Sequence, residues 1–258
     1  MSFGRSVELE FGPPGAPGRR VDHLRIDFDV KHSDAATPSE ARIVVFGVSD
    51  DLVAAAQAEG TVFRLSAGYD VPAVIFTGVA VRGGVRREGD VLTVDAVDGG
   101  REYASRSVDV WRAGESAPKL LIGLAAAAMG VPVAVALVGV ERPLQAMRFA
   151  GRAGELLDLV CTATASSWRV TDGVLYVLPA GSARFEAAPV WTAEGGALIG
   201  REKPTDEGVE VTALLAPEMR PRRLFVVPSG TYRATEVVFT GSSTEPGPFY
   251  VQCRGRPR

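Results

Sequence analysis

Leu24, Ile26, Phe28 and Val30 alternate one by one with Arg25, Asp27, Asp29 and Lys31. Side chains leave a strand on opposite faces every second residue, so this run specifies a strand with one buried and one wet face. The same alternation recurs over Ser6 to Phe11, Ala41 to Val48, Val62 to Ala67, Ala73 to Val81 and Val91 to Val97, with Gly, Pro and Asp between the runs. The stretch Gly83 to Asp90 reads as a hairpin tip. A short helix is expected over Asp50 to Ala58, capped by Ser49 and stopped by Gly60. Asp50 and Asp51 then have a structural reason, since negative charge is favourable in a first helical turn.

The character changes near residue 101. Apolar residues at helical spacing predict helices over Pro118 to Met129, with Ser116 as N-cap, and over Ala153 to Ser166, with Leu156, Leu157, Val160, Cys161 and Thr164 on one face. A hairpin is predicted next, Trp168 to Thr171 and Val174 to Leu178 around Asp172-Gly173. From Phe185 onward strands return, at Val209 to Leu215, Leu224 to Val227, Tyr232 to Thr240 and Phe249 to Cys253. The expected fold is mainly β with an α+β middle. Two tube-like β-barrel or sandwich domains (1–100 and 185–258) flank a small α+β domain (101–184).

The two β-stretches resemble each other. VFRLSAGYDVPAVIFTG at 62–78 and LFVVPSGTYRATEVVFTG at 224–241 both run from an apolar strand through Ser, Gly and Tyr to Phe-Thr-Gly. Each is preceded by one strand, Ala41 to Val48 or Val209 to Leu215, and followed by another. This reads as one strand motif carried twice in one chain.

Chemistry is harder to find. A nucleophile needs a base within hydrogen-bond reach. The two histidines, His23 and His32, read as surface or strand-end residues. Two cysteines and two histidines without a CxxC pair argue against structural zinc. Cys161 and Cys253 read as buried small hydrophobes rather than a disulfide. No GxSxG elbow or phosphate-binding Gly-rich loop occurs. Asp90, Asp95, Asp98, Glu207 and Glu210 are spaced as turn and outward-facing residues rather than as a catalytic pair. No cofactor is implied. The net charge of −3 argues against a dedicated nucleic-acid binder. The arginine clusters at 86–87, 220–223 and 254–258 read as solvated turns. Leu120 to Val140 has no charged residue, but Gly123, Gly130, Pro132 and Gly139 make it a helix, a turn and a short strand, Val133 to Val138, rather than a membrane span. Met1 to Pro17 lacks the pattern of a secretory signal.

The run ALIGREKPTDEGVEVTALLAPEMRPRRLFVV at 197–227 resembles a recurrent segment of phage tail hub proteins. The shared marks are Ile199-Gly200, the Thr205 to Gly208 turn and Leu214-Leu215-Ala216-Pro217. Phe46-Gly47-Val48 followed by a short helix, then Ala67-Gly68-Tyr69 and Phe76-Thr77-Gly78, are similar to the family's N-terminal half. Arg152 to Leu178 is similar to its helix, Trp and hairpin. Ala216 in place of the usual Asn, and Arg222 in place of a common Gly, depart from the pattern.

The resemblance implies a non-enzymatic structural protein of the virion, a baseplate or tail-tip hub assembled in the host cytoplasm. It implies a homotrimer in which two tube-like domains per chain match a sixfold tail tube. Its partners would be the tail tube protein, the central spike or tip protein, the tape-measure protein and neighbouring baseplate proteins, with DNA only in transit during ejection and no membrane. A hub of a non-phage contractile injection system and a tail-associated peptidoglycan hydrolase are the alternatives. The expected tube-facing surfaces are the Asp50 to Ala58 helix and the tips at Gly83 to Asp90 and Ser242 to Pro248. Asp50, Asp51, Gln57, Arg86, Arg87, Glu88, Ser243 and Glu245 are the candidate contact residues.

Overall fold

The computed structural model describes residues 4–13, 18–34, 38–98, 106–133, 143–145, 147–171, 173–183, 187–195 and 197–258. The expected strand beyond Val133 and the turn residue Asp172 lie outside them. The first stretch forms β1 (Arg5–Gly12), β2 (Arg19–Val21), β3 (Ile26–Ser33), β4 (Glu40–Phe46), α1 (Asp50–Gln57), β5 (Val62–Tyr69), β6 (Ala73–Glu88) and β7 (Val91–Val97). The middle forms β8 (Ser107–Arg112), α2 (Pro118–Met129), β9 (Met147–Arg152), α3 (Ala153–Ala163), β10 (Ser166–Thr171) and β11 (Val174–Pro179). The last stretch forms β12 (Lys203–Thr205), β13 (Gly208–Leu214), β14 (Leu224–Val227), β15 (Gly230–Ser242) and β16 (Phe249–Pro257). The protein is mainly β with a small α+β middle.

The chain divides into two compact units: Met1–Asp34, Ser39–Asp98 and Ala183–Arg258 in one, Ala35–Pro38 and Gly99–Ser182 in the other. In the first unit the two β-stretches share one antiparallel sheet in the order β12-β13-β16-β15-β3-β4-β7-β6-β5-β1-β2, with β14 added on β15. The junction between them is the β15–β3 ladder, Glu236↔Ser33 to Ser242↔Asp27. Every second residue of β3 faces inward, so Ile26, Phe28 and Val30 join Phe11, Phe63, Phe76 and Phe239 in one core. The same parity carries His32 inward. It is fully buried, with Nδ1 2.9 Å from Ser39 Oγ and Nε2 2.9 Å from the Ile75 carbonyl, which corrects the surface reading. His23 is exposed beside Asp22.

In the second unit, β8 pairs β9 and β10 pairs β11. Leu121, Ile122 and Ala125 of α2 share a core with Leu156, Leu157 and Val160 of α3 and with Leu175 and Val177 of β11. Gly130 ends α2 in the left-handed conformation. Ser116 is not the N-cap. It is buried in an isolated bridge to Leu144, and Ala117 holds the cap position without a side-chain bond. Among the described residues no helix is long and apolar enough to cross a membrane. Cys161 and Cys253 are buried free thiols, and burial pushes the Cys161 thiol up to about 12.

Candidate functional site

Antiparallel pairing decides which loops share an end of the sheet. Ile26 of β3 lies opposite Val45 of β4, Phe46 opposite Val91 of β7, and Glu88 of β6 opposite Val91. On the other side of β3, Asp27 lies opposite Ser242 of β15. The start of α1, the β6–β7 turn and the β15–β16 loop therefore emerge at one end of the sheet, with the start of β3 between them.

Side chains fasten these segments. Arg87 pairs with Asp50, and the Asp90 carbonyl accepts from Gly47 N and Val48 N at 2.9 and 3.0 Å. Ser49 caps α1 by accepting from Leu52 N at 3.4 Å. Ser243 bonds Ile26 twice, its N–H donating to the carbonyl and its Oγ accepting from Ile26 N, both at 2.9 Å. Arg5 donates to the Gly247 carbonyl at 2.7 Å and lies 3.9 Å from Glu245. Of the predicted contact residues, Asp50, Arg87, Ser243 and Glu245 are thus tied into this end. Asp51 and Gln57 are exposed on α1, Arg86 is paired with Asp95, and Glu88 is exposed. Glu88 has no ion-pair partner among the described residues.

The tip expected at Gly83 to Asp90 is shorter than that. β6 runs on to Glu88, and only Gly89 and Asp90 turn. Gly83 and Gly84 belong to an irregularity between Ala80 and Val85, where a Cβ on Gly84 would collide with the Asp95 carbonyl oxygen.

Three of the carboxylates considered for catalysis, Asp95, Glu207 and Glu210, stand in ion pairs. Arg254 holds Glu210 at 2.9 Å and Arg256 holds Glu207 at 2.7 Å. The hydrogen bond from Arg254 keeps Glu210 below the ordinary glutamate range, the opposite of what a general acid needs. Asp98, expected to face outward, is buried at the end of β7. Two arginine clusters also differ from the solvated-turn reading. Arg220 and Arg222 are buried: Arg220 donates to the carbonyls of Pro217, Met219 and Val74, and Arg222 lies 3.4 Å from Asp34. A Pro-rich turn leaves carbonyls without strand partners, and the Arg220 guanidinium satisfies those of Pro217 and Met219. Arg254 and Arg256 belong to strand β16 rather than to a turn.

The repeated motif can now be compared residue by residue. One half of the sheet has the order β12-β13-β16-β15 and the other β3-β4-β7-β6. β14 pairs the start of β15 as β5 pairs the start of β6. The β13–β16 and β4–β7 ladders end at the equivalent rows Leu214↔Tyr250 and Phe46↔Val91, with Thr240 opposite Tyr250 and Glu88 opposite Val91; the β15–β16 ladder runs one row further, to Gly241↔Phe249. Both third strands carry an irregularity, at Ala234/Glu236 and Ala80/Val85. Thr240 is therefore equivalent to Glu88 and not to Thr77, so the two Phe-Thr-Gly triplets are not register partners.

This twofold sheet has known counterparts. A tail protein from Neisseria meningitidis MC58 superposes with a TM-score of 0.66 at 13% identity, over 99% of this chain and 97% of that one. The 43 kDa tail protein of prophage MuSo2 from Shewanella oneidensis gives 0.64 at 10% identity, over 98% of both chains. The fold is that of phage tail proteins. The E. coli c3393 protein, a type VI secretion component described as similar in structure to T4 bacteriophage tail proteins gp27 and gp5, gives 0.58 at 8% identity over 96% of this chain and 77% of that one. No protein-family model and no curated protein sequence matches the chain.

Proposed function

We propose that the protein is a non-enzymatic structural part of a phage-type tail, a baseplate or tail-tip hub in which three copies form a ring beneath the tail tube. The observation that carries this reading is the doubled sheet, two four-strand units of identical order side by side in one chain. A sixfold tube offers six equivalent surfaces, and a cyclic trimer meets all of them when each chain supplies two similar ones. The end of the sheet that gathers α1, the β6–β7 turn and the β15–β16 loop is the face turned to the tube, and Asp51, Gln57 and Glu245 are its exposed contacts. The spike or tip protein, the tape-measure protein and neighbouring baseplate proteins are the remaining partners, and DNA passes through the lumen.

A type VI component among the structural neighbours gives specific support to a second setting, the hub of a contractile injection machine. Copy number in purified particles tests the hub. Three copies per tail, at the tube's end by immunolabelling, are expected; six copies, or label along the tube, would overturn it.

A further inference from the structure

On the large sheet, outward-facing charges neutralise one another: Lys31 pairs with Glu236, Arg86 with Asp95 and Arg254 with Glu210. The outer face of the β8–β9 ribbon in the second unit is different. Trp111 lies opposite Arg148, Asp109 opposite Ala150 and Ser107 opposite Arg152, and all six residues are exposed. Trp111 is 74% exposed. Among the described residues its ring meets no other ring or cation, and Asp109 and Arg148 have no hydrogen-bond or ion-pair partner. The other face of the ribbon is fixed. Val110 is buried with Leu121 and Leu157, and Val108 and Phe149 pack against the same core. An aromatic ring, a carboxylate and a guanidinium therefore stand side by side on a firm base with their binding capacity unused.

Size and composition say what fits there. A six-residue strand is about 20 Å long and a strand pair about 10 Å wide, so the face offers roughly 200 Å². A stable protein contact takes about 800 Å² per partner, with several apolar anchors. Here Trp111 is the one large apolar side chain, which favours a small ligand with one apolar face and polar edges. A pyranose ring has that form, with C–H groups on its face and hydroxyls around its rim. The electron-rich face of an indole attracts polarised C–H groups. A carboxylate accepts from hydroxyls, and a guanidinium holds a carboxylate in a bidentate pair. Arg148 and Arg152 outnumber Asp109 on this face, so an acidic sugar is favoured over a neutral one.

We propose that the outer face of β8–β9 binds an acidic glycan, with one sugar stacked on Trp111, its hydroxyls on Asp109 and its carboxylate on Arg148. Ser107 and Ala150 are short, so the ribbon leaves room between Trp111 and Arg152 for a neighbouring ring. The rows Trp111↔Arg148 and Ser107↔Arg152 lie four residues apart, about 13 Å, which suits a short oligosaccharide. This binding is independent of ring formation, of the tail tube and of copy number.

The test is titration calorimetry on full-length protein with two acidic glycans, oligogalacturonate and peptide-free peptidoglycan strands. A malto-oligosaccharide serves as the neutral sugar and short-chain polyphosphate as the sugar-free anion. At least one acidic glycan should bind saturably, the neutral sugar at least tenfold more weakly, and polyphosphate not at all. Trp111→Ala should abolish the binding, while Asp109→Asn and Arg148→Ala should each weaken it at least tenfold. Leu120→Ala, at an exposed position of the same unit, should leave it unchanged. All four substitutions are at exposed positions, and unchanged circular dichroism would confirm folding. Equal affinity for the neutral sugar would keep the Trp111 platform and overturn the role given to Arg148. Polyphosphate binding as tight as that of the acidic glycans would overturn the proposal, as would binding that survives Trp111→Ala. Failure of both acidic glycans to bind would overturn it as well. Self-association lost on Trp111→Ala, without sugar binding, would assign the face to a second copy instead.

Discussion

His32 Nε2 lies 2.9 Å from the carbonyl oxygen of Ile75, and this bond fastens β3 to β6 through the core of the large unit. A carbonyl only accepts, so Nε2 carries the proton and Nδ1 faces the Ser39 hydroxyl. The ring also meets Phe239 edge-on, with centroids 5.8 Å apart.

Replacing His32 by Ala opens a cavity and strands a buried carbonyl. The expected loss is about 2–4 kcal/mol in urea unfolding. His23→Ala, at an exposed position, should change stability by less than about 0.5 kcal/mol. Equal effects of the two substitutions would refute the buried role of His32.

Asp27 gives the unit an acid-sensitive point. Burial alone would raise its pKa, but hydrogen bonds from Arg25 and Ser242 outweigh that and hold it below the ordinary aspartate value. A carboxylate lowered in the folded state binds fewer protons there than in the unfolded chain. Its contribution is complete above the unfolded value and disappears as pH falls through the folded one. Urea midpoints should therefore drop as pH falls below about 4, and Asp27→Asn should flatten that drop while lowering stability at pH 7. A variant with the wild-type acid slope would refute the assignment.

The α2 helix separates a core position from its neighbour. Leu121 is fully buried and Leu120 is 43% exposed. Leu121→Lys should cost at least about 4 kcal/mol, because an unpaired charge enters a core. Leu120→Lys should cost less than about 1 kcal/mol. Partition of the wild-type chain into vesicles, or a harmless Leu121→Lys, would refute the buried helix.

Most elements were legible in the sequence because turn chemistry and periodicity agree locally. Pro118 and Gly130 bracket α2, and Ser49 marks the start of α1. The failures have physical causes. β6 was read as ending near Val81 because two glycines usually punctuate a strand, whereas Gly83 and Gly84 shape an irregularity inside it. Arg220 and Arg222 were read as solvated because their partners are carbonyls and Asp34, far away in the chain. His32 was misread although its parity with Ile26, Phe28 and Val30 was on view. The repeat was visible, but its register was not, since Phe-Thr-Gly matched letters rather than ladders. The candidate surface fared similarly. Its segments were named from turn composition, while their common end of the sheet depends on the non-local β15–β3 and β4–β7 pairings.

The β15–β3 ladder bears on how the chain is made. It joins the first and last stretches of the sequence, from Glu236↔Ser33 to Ser242↔Asp27. Until β15 has been synthesised, β3 lacks one of its two neighbours, and the large sheet cannot be completed by the N-terminal strands alone. Contacts between segments so distant in the chain form late and slowly. Completion of the sheet therefore waits for the C-terminal strands.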